Sequence, residues 1–186
     1  MAAGLKRRGV IALIAGMLLA ACASQPAPAP DPAAETAVIS LFLVRHAEKE
    51  AGSDPALTPA GKTRAGALAA RLMNEGVTEI WSTYTLRTRG TAEPLAKATG
   101  LQIQTYEAGT LPAFATWLLD TPGVKLVVGH SNTTDALAAL LGADPGPEFD
   151  EANEFDRLYV IHVDENGIVS SRIERYGAPS PVSGAE

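Results

Sequence analysis

The chain is short of several things at once. It has one cysteine in 186 residues, so neither a disulfide framework nor a cysteine-rich zinc site can be built. Only three histidines are present, and aromatic residues make up 5% of the chain. Positive charge is also scarce, with 15 Lys and Arg against 21 Asp and Glu, a formal net charge of −6. That deficit argues against a general nucleic-acid binder, which needs a surplus of cations for the phosphate backbone. No apolar run reaches the roughly 20 residues that span a bilayer. What remains is an ordinary globular composition, 46% apolar and 19% charged, at a length suited to one domain.

The N-terminal end departs from that average. Lys6, Arg7 and Arg8 precede an uninterrupted apolar run from Val10 to Ala21, followed by Cys22. A charged segment, a run of about a dozen apolar residues and small residues at its end make a secretory signal peptide the expectation for residues 1–21. Leu19-Ala20-Ala21-Cys22 resembles the bacterial lipobox, which implies a lipidated Cys22 as mature N-terminus and a membrane held through its acyl chains. Residue 23 is Ala, which in Gram-negative lipoproteins of this kind implies the outer membrane, facing the periplasm. An ordinary signal peptide with an incidental cysteine is the alternative. Residues 1–21 hold three basic and no acidic residues, so the remainder carries −9.

Residues 22–37 are rich in Ala and Pro, with prolines at 26, 28, 30 and 32 and no periodicity, as expected for an extended tether. Residues 178–186 read as a frayed tail, leaving 38–177 as the folded domain. Within it, continuous apolar runs at Val38 to Val44 and Lys125 to Gly129 read as buried strands, with further strands at Val77 to Ser82 and Leu101 to Tyr106. Thr58-Pro59 opens a helix whose apolar face is Leu68, Leu72 and Met73. Helices follow at about Leu86 to Ala98, Leu111 to Leu119 and Thr133 to Leu141. Arg157 to Val163 and Ile168 to Arg175 flank an Asn-Gly turn and read as a hairpin. The alternation predicts an α/β fold, a mostly parallel central sheet with helices on both faces, and places ligands beyond the carboxyl ends of the strands.

Two of those ends carry histidine. The first strand leads into Arg45-His46-Ala47-Glu48, the strand near 127 into Gly129-His130-Ser131-Asn132. Ser131 or Asn132 can cap the following helix and leave backbone N–H groups beside His130, an anion site.

These residues resemble the histidine phosphatase superfamily, whose fold is phosphoglycerate-mutase-like. The resemblance rests on four segments in order: Arg45-His46-Ala47-Glu48-Lys49; Leu57-Thr58-Pro59-Ala60-Gly61; Thr83 to Ala92, with Arg87 and Thr91 in a Ser-x-x-x-Arg-x-x-x-Thr-Ala pattern; and Gly129-His130-Ser131-Asn132. Thr83 stands where the family has serine, and the insertion that lids the site in mutases is missing, so the pocket is expected to be open. The resemblance implies a metal-independent phosphatase without a cofactor. His46 would be the nucleophile forming a phosphohistidine, and Arg45, Arg87 and His130 would form a cationic phosphate cradle. Glu107 would be the acid for the leaving oxygen, with Glu48 or water as alternatives. The implied partner is a small phosphorylated substrate or a phosphoprotein. A non-catalytic phosphate-binding lipoprotein and, less well, a phosphoglycerate mutase are the competing expectations.

Among the other candidates, Lys62 lacks the first glycine of a phosphate-binding loop and reads as a solvated helix residue. Arg64 and Arg89 read as helix-surface charges, His162 as a strand residue of structural role. Glu148, Asp150, Glu151, Glu154 and Asp156 read as a solvated acidic loop, with calcium the alternative although an EF-hand spacing is missing.

Overall fold

The structure, a computed structural model, describes residues 39–180. The expected signal peptide and tether, Cys22 among them, and residues 181–186 lie outside the described residues. Those described fall within one unit, Ala34–Glu186.

In chain order the elements are β1 (Ile39–Arg45), α1 (Pro59–Leu72), β2 (Glu79–Ser82), α2 (Leu86–Thr99), β3 (Ile103–Thr105), a 3-10 turn (Ala108–Thr110), α3 (Leu111–Asp120), β4 (Gly123–Gly129), α4 (Ser131–Leu140), β5 (Arg157–Val163) and β6 (Val169–Arg175). The sheet order is β3-β2-β4-β1-β5-β6. β3, β2, β4 and β1 are parallel, β5 runs against β1, and β6 pairs antiparallel with β5. Only β5 is therefore reversed, and the sheet is mixed but mostly parallel.

Alternation along β1 divides the core. Leu41 and Leu43 face one layer with Leu111, Leu118 and Leu137 from α3 and α4, while Phe42 and Val44 face Leu68, Leu72 and Leu95 from α1 and α2. Each fully buried leucine contributes about 2 kcal/mol of transfer free energy.

The local signals act as their chemistry requires. The Thr58 side chain accepts from the Gly61 N–H with Pro59 at the first helical position of α1. α2 ends at Gly100, whose φ of 76° is a left-handed cap. Met73, expected on the buried face of α1, is 44% exposed because the helix has ended and it serves as the C-cap.

Three charged groups expected at the surface are inside. Arg64 is 6% exposed; its guanidinium binds both Glu48 carboxylate oxygens and donates to the carbonyls of Tyr176 and Ala178. Glu154 and Asp156 are buried against Arg157 and Arg175, which overturns the solvated acidic loop for those two positions. Among the described residues no cluster of His, Cys, Asp or Glu is arranged to hold a metal ion. Residues 178–180, expected to belong to a frayed tail, are held instead: Ala178 by Arg64, Ser180 by the Phe155 N–H and the Asp156 carboxylate. Lys62 is exposed as expected, and His162 pairs through Nδ1 with the Ser40 hydroxyl across β1 and β5, away from the strand ends discussed next.

Candidate active site

β1 and β4 run parallel in register, Arg45 opposite Gly129, so both strands end at one level. The next residue of each is a histidine. The His46 N–H donates to the Gly129 carbonyl at 2.9 Å, and the two imidazoles meet edge to face with centroids 5.6 Å apart.

Each ring has its tautomer dictated by its neighbours. His46 Nδ1 lies 2.8 Å from the Ala47 carbonyl, which only accepts, so Nδ1 carries the proton and Nε2 keeps its lone pair. His130 Nδ1 lies 3.3 Å from Arg87 Nη2, which only donates, and its Nε2–H therefore points at the Thr83 hydroxyl, 3.0 Å away. Thr83 passes its own proton to Thr88, a fully buried residue at the start of α2. The threonine in place of the family's serine keeps this contact.

Burial holds both rings neutral. It pushes the His46 pKa down to about 3, helped by the charges of Arg45 and Arg87, and the Ala47 carbonyl opposes it without prevailing. The His130 pKa is pushed down to about 4 by burial and by Arg87 and Arg45. Arg45, Arg87 and His130, the groups expected to form the cradle, lie near one another, with His130 held neutral by burial and the two guanidinium groups.

Those two cations are placed from opposite sides. Arg45, the last residue of β1, is 6% exposed and donates from Nη1 to the Glu154 carbonyl at 3.0 Å and from Nη2 to the Glu151 carbonyl at 2.7 Å, over the Phe155 ring. Arg87, in the first turn of α2, approaches His130 and sits 3.6 Å from the Asp54 carboxylate. In each guanidinium the Nε–H is buried and has no protein acceptor. The Arg-x-x-x-Thr spacing has a local cause: Thr91 donates back to the Arg87 carbonyl one turn earlier and accepts the Ala47 N–H, tying α2 to the residue after His46.

His130 itself, not Ser131 or Asn132, is the N-cap of α4, with its N–H received by the Thr133 hydroxyl. Ser131 opens the helix and donates to Glu151 at 2.6 Å. Glu107 follows β3 at the same edge of the sheet, exposed, with no ionic or hydrogen-bonding partner for its carboxylate among the described residues. Glu48, the alternative acid, is engaged by Arg64. Sequence reasoning missed Asp54, Phe155 and the carbonyls of Glu151 and Glu154. The last two act through the main chain, which no side-chain pattern advertises.

The family model of the histidine phosphatase superfamily (branch 1) matches residues 41–108, the stretch that holds Arg45, His46 and Arg87, and the fold brings His130 beside them. Over that stretch the chain resembles the histidine phosphatase superfamily, and its fold is the one those proteins have. Solved structures of similar fold include the protein histidine phosphatase SixA bound to tungstate, with a TM-score of 0.60 and 20% identity over 74% of this chain and 97% of that one. A mycobacterial glucosyl-3-phosphoglycerate phosphatase aligns with a TM-score of 0.56 at 17% identity, over 76% and 100%. A phosphoglycerate mutase from Plasmodium falciparum aligns with a TM-score of 0.54 at 18% identity, over 80% and 96%. No curated protein matches the chain. At these identities the likeness to the solved structures is one of fold, and the superfamily's site chemistry has to be argued from the residues.

Proposed function

We propose that the protein is an exported, lipid-anchored phosphatase that hydrolyses a phosphomonoester or related phosphoryl compound through a phosphohistidine on His46. The observation that carries the catalytic part is the His46 tautomer. A buried neutral imidazole presents its Nε2 lone pair beside two arginines whose buried Nε–H donors have no protein acceptor. Non-bridging phosphoryl oxygens would satisfy those donors, and charge-assisted contacts of this kind are the strong ones. His46 Nε2 forms a bond to phosphorus as the bond to the leaving oxygen breaks, and that oxygen takes up a proton. Water then attacks the phosphohistidine, releasing inorganic phosphate and restoring the neutral ring. A dianion between Arg45 and Arg87 offsets their charge and lets His130 accept a proton in its presence. A phosphate-binding protein has no need of a nucleophile with its tautomer fixed. Such a protein would show saturable phosphate affinity without turnover.

Glu107 is proposed as the proton donor to the leaving oxygen. Glu107→Gln should slow hydrolysis of alkyl phosphates by about 100-fold while sparing aryl phosphates, whose leaving groups need no proton. Equal rates for mutant and wild type on both classes would remove Glu107 from the mechanism.

The proposal of export and anchoring rests on the basic and apolar segments before Cys22. Cys22→Ala should shift the protein from the membrane fraction to the soluble fraction of a bacterial host. A membrane-bound Cys22→Ala protein would sink the lipid anchor. The overall test is release of phosphate from an aryl phosphate, with labelled phosphoryl trapped on the chain by rapid alkaline denaturation.

A further inference from the structure

Arg45 has three donor groups, and two of them are spoken for by one short loop. Nη1 reaches the Glu154 carbonyl and Nη2 the Glu151 carbonyl, and the Phe155 ring lies 4.4 Å beneath the guanidinium carbon. With one N–H of each Nη committed to the loop, the planar guanidinium keeps its Nε–H and one further N–H on each Nη, so this loop fixes the plane and rotation in which Arg45 meets the phosphoryl group.

Asp150 caps the loop from within, accepting the Ala152 N–H and the Asn153 amide, and the Glu154 carboxylate anchors it to its surroundings. Glu154 is 6% exposed, and its Oε2 accepts the Asp150 N–H at 3.2 Å and Arg157 Nη2 at 2.8 Å. Its Oε1 accepts Arg157 Nε at 2.7 Å and Arg175 Nη1 at 2.6 Å. Arg157 is 2% exposed and is itself fixed by the Pro147 carbonyl and the Tyr159 hydroxyl. The side chain of Glu154 thus closes the turn from Asp150 onward and anchors it to β5, while its main chain holds the site arginine.

Building on the phosphatase proposal above, we infer that Glu154 is a positioning residue for catalysis: its buried carboxylate sets the carbonyl fork that aims Arg45 at the transferred phosphoryl group. Arg157 acts through it.

The test is a double-mutant cycle in the full-length protein. Glu154→Gln puts an amide N–H against guanidinium donors and loosens the turn. It should lower kcat on an aryl phosphate by between about 10- and 100-fold and weaken binding of inorganic phosphate about 10-fold, since an error near 1 Å in a catalytic group has effects of that order. In an Arg45→Lys background, where no guanidinium remains to be aimed, the same substitution should change both by less than about 2-fold. Leu118→Ala, a core cavity in α3, supplies a destabilised control that keeps kcat at a temperature where it is fully folded. If Glu154→Gln fails to fold, Arg157→Lys keeps the charge, gives up the two-pronged contact and carries the same cycle.

A folded Glu154→Gln protein with wild-type kcat and phosphate affinity overturns the inference. So does an equal loss in both backgrounds, which is the mark of a purely structural role. Phosphate binding by the wild type without turnover would refute the phosphatase proposal alone, and the phosphate affinities would then decide the role of Glu154. A wild type that neither binds nor hydrolyses refutes both.

Discussion

Replacing His46 by asparagine is expected to abolish phosphate release from an aryl phosphate, with kcat falling by at least about four orders of magnitude, and to abolish trapping of labelled phosphoryl on the chain. Asparagine is smaller, but its amide N–H can donate to the Ala47 carbonyl as Nδ1 does now, so this contact is kept while the lone pair is lost. Stopped-flow release and denaturing gels on trapped samples read the two effects separately. Turnover persisting within tenfold of wild type would refute His46 as nucleophile.

The same variant has a thermodynamic signature. Between pH 6.5 and 5 the unfolded chain protonates His46 while the folded chain, its pKa pushed down to about 3, does not. Protons then favour the unfolded state, and stability falls as pH falls, by up to about 1.4 kcal/mol per pH unit for each such histidine. His130, with its pKa near 4, adds a like slope. His46→Asn should therefore flatten the acid loss measured by urea midpoints at pH 6.5 and 5, leaving the His130 share. An unchanged slope would mean that His46 is not held neutral by the fold.

Gly61→Ala is the second large effect, and it falls on stability. A Cβ at Gly61 would stand 2.1 Å from the carbonyl oxygen of Glu48, a main-chain atom that also receives the Thr58 N–H and hydroxyl. No rotamer change relieves such a contact; either α1 lifts from the loop after His46 or that loop moves. A cost of about 3 kcal/mol or more is expected, at the upper end for overpacking, lowering Tm by about 10 °C. Gly66→Ala on the same helix meets open space and serves as the control. A Gly61→Ala protein within 2 °C of wild type would show that the close approach is not required. The glycine of the Leu-Thr-x-x-Gly segment is thus explained by proximity, since α1 is pressed against the backbone that follows His46.

Much of this was legible in the chain. Thr58-Pro59, the glycine at 100 and the turn before Ile168 give element ends from local chemistry alone, and the apolar runs give the inner strands. Arg45, His46, Arg87 and His130 follow from strand ends, motif spacing and resemblance. What escaped shares one character. Arg64, Glu154 and Arg157 are charged groups whose burial involves Tyr176, Arg175 and the Pro147 carbonyl respectively, partners outside a local window, which sees only their charge. The charge state of His130 escaped for a related reason, because burial and two nearby guanidinium groups decide it.

The strand order carries a consequence for how the protein comes into being. β1, the earliest strand of the sheet, is closed on one flank by β4 and on the other by β5, and Ser40 meets His162 across 122 residues. Contacts of such separation form late and slowly, because the loop between them must close before they return any stabilisation. His46 receives its backbone partner only with β4, and Arg45 its carbonyl fork only with the residues just before β5. A chain emerging from a ribosome therefore delivers His46 first and the groups that surround it last.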